Sequence, residues 1–446
     1  MRQPLLQIAF SALALALPAS AQNCAQTSVG LVPLTDLGTG THGGFQGGLY
    51  PLGTNVRPEA HTVAGLVAAQ LVVPRNALGD PSADGKIVLL SIGMSNATQE
   101  FQTLQALAAT DTLRHPRVQL VDGAQGGQTA ATISNPAANF WTVVDQRLAN
   151  SSVSAAQVQV VWFKEADASP TQAFPVHAQT LQTEFTAIMG ILKTRFPNLR
   201  QCFLASRIYA GYATSALNPE PFSYEQGFAV KWTVESQIQR TALNFDPTRG
   251  PVVAPWIDWG TYNWADGLTP RSDGLTWSCS DYQPDGTHPG ASGRAKVANI
   301  LLDFLHTEPT AASWYLAEPA PFAYGVGKVT SIATLPTIAW TGTPTFTSND
   351  FSISVSNGVP TAPGILFRGT LPARTPFLSA NLYVGGTLVR LPVQVLDTAG
   401  FSNWTVPVGA AQIGRTFCYQ GYLRDSGQSD GSGAVLSNAL RVVFSP

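Results

Sequence analysis

The sequence predicts an α/β domain with a parallel sheet, followed by a small all-β domain. From about residue 85 to 306, short β-branched runs alternate with segments whose apolar residues recur at helical spacing, which is typical of βαβ units. A sheet of this kind is covered by helices on both faces. Beyond residue 330 the chain has no Lys, Glu or His, and short strand-like runs are separated by Gly, Pro and Asn, which indicates an antiparallel β-sandwich. We therefore predict an α/β domain over residues 22–316, a linker over 317–329 and a β-sandwich module over 330–446.

The spacing of apolar residues predicts helices, a hairpin and the strands of the parallel sheet. Residues 181–192 and 297–305 carry apolar side chains at helical spacing and predict two of the covering helices. In the all-β part, residues 382–389 predict a hairpin that turns at Gly385 and Gly386. The predicted strands of the parallel sheet are residues 86–92, 117–121, 158–163, 202–205 and 252–256.

The composition excludes two classes of protein. The chain has 446 residues with 25 Lys+Arg and 27 Asp+Glu, a net charge of −2. A nucleic-acid binder that relies on electrostatics would carry a basic patch or stripe, so this class is excluded. A hydrophobic fraction of 44% is too high for a disordered chain.

Residues 1–21 are predicted to be a signal peptide. Arg2 supplies the positive start, residues 5–17 form an apolar stretch, and Ala19 and Ala21 fit a cleavage site of small residues. No other stretch approaches the roughly 18 apolar residues that a membrane span needs. We therefore expect a protein outside the cytoplasm, either secreted, at the cell surface or in the periplasm, with no membrane span.

The chain has four cysteines, an even number that permits two disulfides in an oxidising compartment. Four cysteines allow three connectivities. We expect Cys202–Cys279 and Cys24–Cys418, because the first pair falls inside one predicted domain. Since there is no Cys-x-x-Cys motif and no Cys/His cluster, we predict no metal site and no cofactor.

Polar and glycine-rich segments follow the predicted strands. Residues 93–96, Gly-Met-Ser-Asn, follow the first strand and place Ser95 at a helix N-terminus, where free N–H groups favour a developing oxyanion. Residues 123–129 follow the second strand, and their glycines let backbone N–H groups approach a substrate oxygen. Residues 285–289, Asp-Gly-Thr-His-Pro, precede the last helix, and this spacing lets Asp285 orient the His288 imidazole that deprotonates the serine.

Each of these features alone is more often structural. A serine after a strand usually caps the helix, and a Gly-Gly pair is usually a turn. Their combination at the ends of successive strands favours catalysis, with Ser95 as nucleophile.

Together these segments resemble the SGNH/GDSL-type hydrolases, in particular the sialate O-acetylesterase and carbohydrate acetylesterase branch. The resemblance covers roughly residues 85–305 and rests on the segments 93–96, 127–129 and 285–289. It implies a flavodoxin-like three-layer α/β/α fold, with Ser95 as nucleophile, His288 as base and Asp285 as its orienting partner. It also implies that the N–H groups of Ser95 and Gly127 form an oxyanion hole.

The third block of the family pattern differs in this chain. Where the family has an Asn, or a Gln in the acetylesterase branch, residues 162–167 read Trp-Phe-Lys-Glu-Ala-Asp. Two interpretations of Lys164 remain: it acts as the third oxyanion donor, or it pairs with Glu165. Further residues are predicted to bind substrate near the carboxyl edge of the sheet, namely Asn96, Glu165, Arg207, Trp256 and Asp258.

These features predict a secreted serine ester hydrolase that deacetylates O-acetylated carbohydrate through an acyl-enzyme, with a C-terminal module that contacts a glycan or the cell surface. One alternative is an α/β-hydrolase, since residues 93–95 match half of a Gly-x-Ser-x-Gly elbow and residues 42–44, His-Gly-Gly, resemble a lipase oxyanion loop. The other is a non-catalytic secreted or cell-surface carbohydrate-binding protein built on a degenerate hydrolase fold. The missing third-block amide favours that reading, and the intact Ser95, Asp285 and His288 favour the enzyme.

Overall fold

The computed structural model describes residues 22–445. The predicted signal peptide, residues 1–21, lies outside this range. Among the described residues, no helix has both the length and the hydropathy that crossing a membrane requires.

The first part of the described chain alternates strands with helices. Its elements are α1 (Leu34–Leu37), β1 (Thr41–His42), β2 (Phe45–Gln46), α2 (Glu59–Gln70), β3 (Ile87–Gly93), α3 (Ser95–Thr110), β4 (Val118–Asp122), α4 (Ala130–Ile133), α5 (Asn139–Asn150), β5 (Val158–Lys164), α6 (Val176–Arg195), β6 (Gln201–Leu204), α7 (Phe222–Ile238), β7 (Trp256–Trp259), α8 (Ala291–Thr307) and α9 (Pro309–Tyr315).

Five of these strands form a parallel sheet in the order β4-β3-β5-β6-β7. The prediction of a parallel sheet with helices is therefore confirmed. The chain runs from β3 outward to β4 and then crosses back to β5 on the other side of β3. Such a reversal opens a crevice at the carboxyl ends of the strands, here between β3 and β5. Every residue of β3 and β5 is buried, as expected for central strands of a covered parallel sheet.

Four of the predicted strands coincide with β3 to β6 to within one or two residues, whereas the fifth does not. Residues 252–256 were predicted as a strand, but β7 begins only at Trp256. Pro251 precedes that run and Pro255 lies within it, neither can donate a ladder hydrogen bond, and Val253 is 49% exposed.

The rest of the chain is built from antiparallel strands. They are β8 (Phe322–Tyr324), β9 (Thr337–Thr341), β10 (Ser352–Ser356), β11 (Pro363–Gly369), β12 (Leu371–Phe377), β13 (Ala380–Gly385), β14 (Val389–Arg390), β15 (Gln394–Val395), β16 (Ser402–Thr405), β17 (Thr416–Arg424) and β18 (Ala434–Val443). One sheet has the order β16-β10-β9 and a second the order β14-β11-β17-β18-β8, with β15 also paired to β11. Residues from both sheets share one hydrophobic core, which includes Ile353, Trp404, Tyr419 and Leu440.

Two predictions for this part need correction. The segment 317–329, predicted as a linker, contains β8, which pairs with β18. The hairpin predicted at Gly385 and Gly386 instead joins β12 to β13 through Leu378 and Ser379, whose φ angles are 52° and 58°. Positive φ at both turn residues suits a tight hairpin but usually selects Gly or Asn, so Leu-Ser carries no turn signal.

The predicted disulfide pairing is wrong. Cys24 is bonded to Cys279, with Cα atoms 5.3 Å apart, whereas Cys202 and Cys418 are buried free thiols. Cys202 lies inside β6 and Cys418 inside β17, so each is enclosed in the core of a different part of the chain. Neither thiol can therefore reach another cysteine.

Helix α2 joins the two parts of the molecule. Val63 and Leu66 on this helix are buried in one apolar cluster with Phe367, Tyr383 and Val384 of the antiparallel strands. At the start of the helix, the Glu59 carboxylate accepts hydrogen bonds from the Tyr383 hydroxyl and from Arg374 Nε, the latter at 2.8 Å.

Candidate active site

Ser95, His288 and Asp285 form a hydrogen-bonded chain at the carboxyl edge of the parallel sheet. Ser95 Oγ lies 2.8 Å from His288 Nε2, and His288 Nδ1 lies 2.5 Å from Asp285 Oδ2. The side chain of His288 is 22% exposed and that of Asp285 41%, so solvent reaches both residues. The distances are those of a nucleophile, a base and the group that orients the base.

The junction between β3 and α3 holds Ser95 in place. Ser95 is the first residue of α3, with Met94 in extended conformation before it. A Cβ at Gly93 would lie 2.1 Å from the carbonyl oxygen of Lys164, so only glycine allows β3 and β5 to approach so closely here. Close packing of two neighbouring strand ends therefore sets the position of Ser95.

The loop that carries Asp285 and His288 is fixed from two sides. Asp285 Oδ1 accepts hydrogen bonds from the backbone N–H groups of Thr287 and His288, each at 3.0 Å. Burial alone would raise the pKa of Asp285, but hydrogen bonds from the His288 ring and from these two N–H groups hold it below its usual value. From α3, the Asn96 side chain donates to the carbonyl of Thr287 at 3.1 Å. The hydrogen bonds to Asp285 therefore favour its ionised form beside the His288 ring.

The glycine segment after β4 lies beside Ser95. Gln125 N donates to the carbonyl of Gly93 at 2.8 Å, which ties this segment to the end of β3. Gly127 has a φ of +73°, a conformation that side chains disfavour. Within residues 22–445, the backbone N–H groups of Ser95 and Gly127 donate to no acceptor, so both are free to bind a substrate oxygen.

A cavity of about 260 Å³ opens beside Ser95. Ser95 and His288 lie on its wall together with Gly127. The remaining lining residues are Met94, Asn96, Gly126, Thr129, Ala168, Arg207 and Leu217. Of the residues predicted to bind substrate, Asn96 and Arg207 thus lie at the cavity.

Lys164 belongs to neither of the two predicted arrangements. Its ammonium group donates to both carboxylate oxygens of Glu100 on α3, each at 2.7 Å, and both side chains are 1% exposed. Lys164 is absent from the cavity wall and does not pair with Glu165. Burial lowers the pKa of Lys164 and raises that of Glu100, and their mutual attraction opposes both shifts.

Three other predicted substrate-binding residues are buried away from the cavity wall. Glu165 is fully buried, its Oε1 accepts from the N–H of Ala166, and burial raises its pKa well above the usual range. Trp256 stacks on His61, with ring centroids 5.0 Å apart. Asp258 pairs with Arg57 at 2.8 Å and accepts from the Tyr50 hydroxyl. These residues follow or belong to strands β5 and β7, but their side chains point into the protein. A position at a strand end does not reveal whether a side chain faces the cavity or the core.

Sequence reasoning missed several residues of the site. Glu100 is the partner of Lys164, yet it lies 64 residues away along the chain, on the buried face of α3. Leu217 and Ala168 add apolar surface to the cavity from loops that carry no motif. The loop 42–44 of the α/β-hydrolase alternative is not part of the cavity wall, because the His42 ring packs against Phe174 at 4.8 Å.

Among residues 22–445 there is no group of three or more His, Cys, Asp or Glu side chains placed to hold a metal ion.

Comparisons with known proteins gave structural matches only. No family model matches the sequence, and no curated protein sequence matches it significantly. One similar solved structure is a carbohydrate acetylesterase from Xanthomonas citri, 13% identical, covering 79% of this chain and 78% of its own, with a TM-score of 0.25. Another is the periplasmic domain of a lipopolysaccharide acetyltransferase from Salmonella ser. Paratyphi A, 12% identical, covering 56% of this chain and 95% of its own, with a TM-score of 0.29.

A third match is an α/β hydrolase enzyme from the metagenome of Lake Arreo, Spain, 13% identical, covering 49% of this chain and 94% of its own, with a TM-score of 0.28. TM-scores this low do not establish a common fold, so the geometry of the site itself must carry the functional conclusion.

Proposed function

We propose that the protein is a serine ester hydrolase that works through an acyl-enzyme. The observation that carries this proposal is the hydrogen-bonded chain from Ser95 through His288 to Asp285, beside a cavity with two free backbone N–H groups. A serine that only capped a helix would not need an imidazole whose second nitrogen is held by a carboxylate.

Each group has a defined part in this reaction. Ser95 Oγ attacks the ester carbonyl carbon while His288 Nε2 takes the hydroxyl proton. The tetrahedral intermediate then collapses, and the imidazolium returns the proton to the departing alcohol. Water attacks the acyl-enzyme by the same route, and Asp285 stabilises the imidazolium in both halves.

We infer that the acyl group is short and that O-acetylated carbohydrate is the substrate class. The cavity of about 260 Å³ is smaller than the roughly 300–1,000 Å³ that is common for drug-sized ligands. The apolar side chains of Met94 and Leu217 suit a methyl group there. The carbohydrate part rests on the resemblance of the three sequence segments to acetylesterases.

We also infer that the protein acts outside the cytoplasm. The Cys24–Cys279 disulfide supports this, because structural disulfides persist in oxidising compartments. The glycan or surface contact of the all-β part stays a prediction.

The hydrolysis of p-nitrophenyl acetate by the wild type and by Ser95→Ala tests the proposal. We expect the substitution to lower kcat by roughly 10³-fold or more, as for other lost triad members. Ser292→Ala, which changes an exposed serine on α8, is the matched control and should retain full activity. Equal rates for wild type and Ser95→Ala would contradict the proposal.

A fluorophosphonate probe separates this function from a non-catalytic binding protein. An activated serine reacts with the probe and a decayed site does not, so the adduct should map to Ser95 and be absent from Ser95→Ala. Failure of the wild type to react would favour the binding protein.

A further inference from the structure

The proposed oxyanion hole contains two backbone donors but no side-chain amide. The carboxyl end of β5, where an amide would complete it, provides Lys164 and Glu165. Lys164 is bound by both oxygens of Glu100, and Glu165 is an acceptor buried outside the cavity wall. A third donor must therefore come from another strand end.

Arg207, which follows β6, reaches the cavity. Its side chain lies on the same cavity wall as Ser95 and His288, although the residue is only 3% exposed. Its backbone is anchored, because its N–H donates to Gln226 Oε1 at 3.0 Å. The guanidinium group, in contrast, makes no hydrogen bond or ion pair with any residue in the described part of the chain, and its Nε is buried without a partner.

A buried guanidinium without partners is unfavourable unless something else satisfies it. Three carboxyl groups lie near enough to act on its charge, Glu100, Glu165 and Glu220. Glu100 is already neutralised by Lys164. Burial raises the pKa of Glu165 well above the usual range, which disfavours its charged form. The Glu220 carboxylate accepts hydrogen bonds from the backbone N–H groups of Ala210 and Tyr224 and from Trp264 Nε1 instead. None of the three carboxyl groups is hydrogen-bonded to the guanidinium group, and the cavity beside Ser95 is where its N–H donors can be used.

We propose that Arg207 is a catalytic residue that donates to the oxyanion formed at Ser95, in the role that an amide after β5 would otherwise fill. This inference rests on the proposed function. When Ser95 Oγ bonds to the carbonyl carbon, the π electron pair moves to the carbonyl oxygen. The guanidinium N–H and the N–H groups of Ser95 and Gly127 bind that charge until the carbonyl reforms and the alcohol leaves. Arginine stays protonated throughout, so it moves no proton.

Steady-state kinetics with p-nitrophenyl acetate test this role. Arg207→Met keeps the length of the side chain but removes its charge and its donors. We expect kcat to fall by about 10²-fold, as for other lost oxyanion donors, while KM changes little because the charge develops only after binding. Arg207→Lys keeps a cation and should lose less activity than Arg207→Met. It provides the test if the Met variant fails to fold.

Arg441→Met is the matched control. Arg441 is also a buried arginine with an unpartnered Nε, but it lies in β18 and not at the catalytic cavity. If the loss of kcat came merely from the removal of a buried charge, Arg207→Met and Arg441→Met would lose activity alike. A kcat of Arg207→Met equal to that of the control would overturn the inference.

The rate of labelling by a fluorophosphonate separates this inference from the proposed function. Attack on phosphorus also places negative charge on an oxygen, so Arg207→Met should label more slowly than the wild type. If the wild type labels at Ser95 and the variant labels equally fast, the role of Arg207 is overturned but the esterase stands. If the wild type neither labels nor hydrolyses the ester, both proposals fall.

Discussion

The Lys164–Glu100 ion pair shows that helix packing determines which residue pairs with a buried charge. The sequence places Lys164 next to Glu165, but β-strand geometry sends neighbouring side chains in opposite directions. The helix α3, packed on the sheet, brings Glu100 to the ammonium group instead. Residue type could therefore predict a buried ion pair at this strand end, whereas its partner depends on how the helix lies on the sheet.

The Lys164–Glu100 pair predicts a large loss of stability on single substitution. Lys164→Met leaves Glu100 buried without its cation and should lower the free energy of unfolding by about 3–5 kcal/mol. Glu100→Leu combined with Lys164→Met removes both charges and should recover most of that loss. Urea unfolding of the wild type and these two variants measures this, and a double variant as unstable as the single one would contradict the prediction.

Glu225 predicts a pH dependence of stability. It is 3% exposed, and burial together with nearby Glu220 raises its pKa to about 7. The folded-state pKa lies above the unfolded-state pKa of about 4.3. The contribution of Glu225 to stability is therefore complete below about pH 4.3 and is lost as the pH rises through about 7. Glu225→Gln should therefore match the wild type in Tm at pH 4 and exceed it at pH 8.

The exposed residue Glu318 offers the control for this pH series. Glu318→Gln should leave the difference in Tm between acidic and alkaline pH as it is in the wild type. A Glu225→Gln variant whose Tm follows the wild type at every pH would show that this carboxyl group does not titrate on unfolding.

At the scale of elements, regular apolar runs are predicted well and the ends of elements less well. The runs that became β3 and β5 are continuous and β-branched, and both are central strands. The run at 252–256 has similar residue types, but Pro251 and Pro255 have no N–H for a hydrogen bond to a neighbouring strand. Strand pairing therefore starts only at Trp256. The candidate catalytic segments were predictable because residues 93–96 and 123–129 directly follow strands and residues 285–289 carry the Asp-x-x-His spacing before α8. Their supporting contacts were not, since these join loops far apart in sequence.

Helix α3 predicts a positioning effect on catalysis. Asn96, on its first turn, donates to the Thr287 carbonyl next to His288. Asn96→Ala should lower kcat by on the order of 10- to 10²-fold, because a small displacement of the base is enough to slow proton transfer. The expected loss of stability is only about 1 kcal/mol, that of one hydrogen bond.

Gln105→Ala is the control on the same helix. Its side-chain amide also donates to a backbone carbonyl, that of Leu120 at 3.0 Å, but on the side of α3 that faces β4. The two variants should lose similar stability, while only Asn96→Ala loses kcat. Equal kcat values would show that Asn96 merely stabilises the helix.

At the scale of the molecule, the prediction of an α/β part followed by an all-β part did not foresee how the two are joined. Residues 317–329 supply a strand to the second sheet, and α2 buries one face against the antiparallel strands. Apolar residues on α2 looked like those of any core helix, because a helix pattern does not identify the surface that covers it. The disulfide was missed for the same reason, since the proximity of Cys24 and Cys279 arises only in the folded chain.

This shared surface predicts that the two parts unfold together. Leu66 of α2 is fully buried in the apolar cluster with Phe367 and Tyr383 of the antiparallel strands, so it links the helix to the all-β part. A charge placed there would be buried without a partner, so Leu66→Asp should uncouple the parts and split a single calorimetric transition into two. Leu71 follows the last residue of the same helix and is 46% exposed. Leu71→Asp should therefore keep one transition close to the wild-type Tm. Two separate transitions in the wild type would contradict the prediction, because the parts would then be independent despite their common cluster.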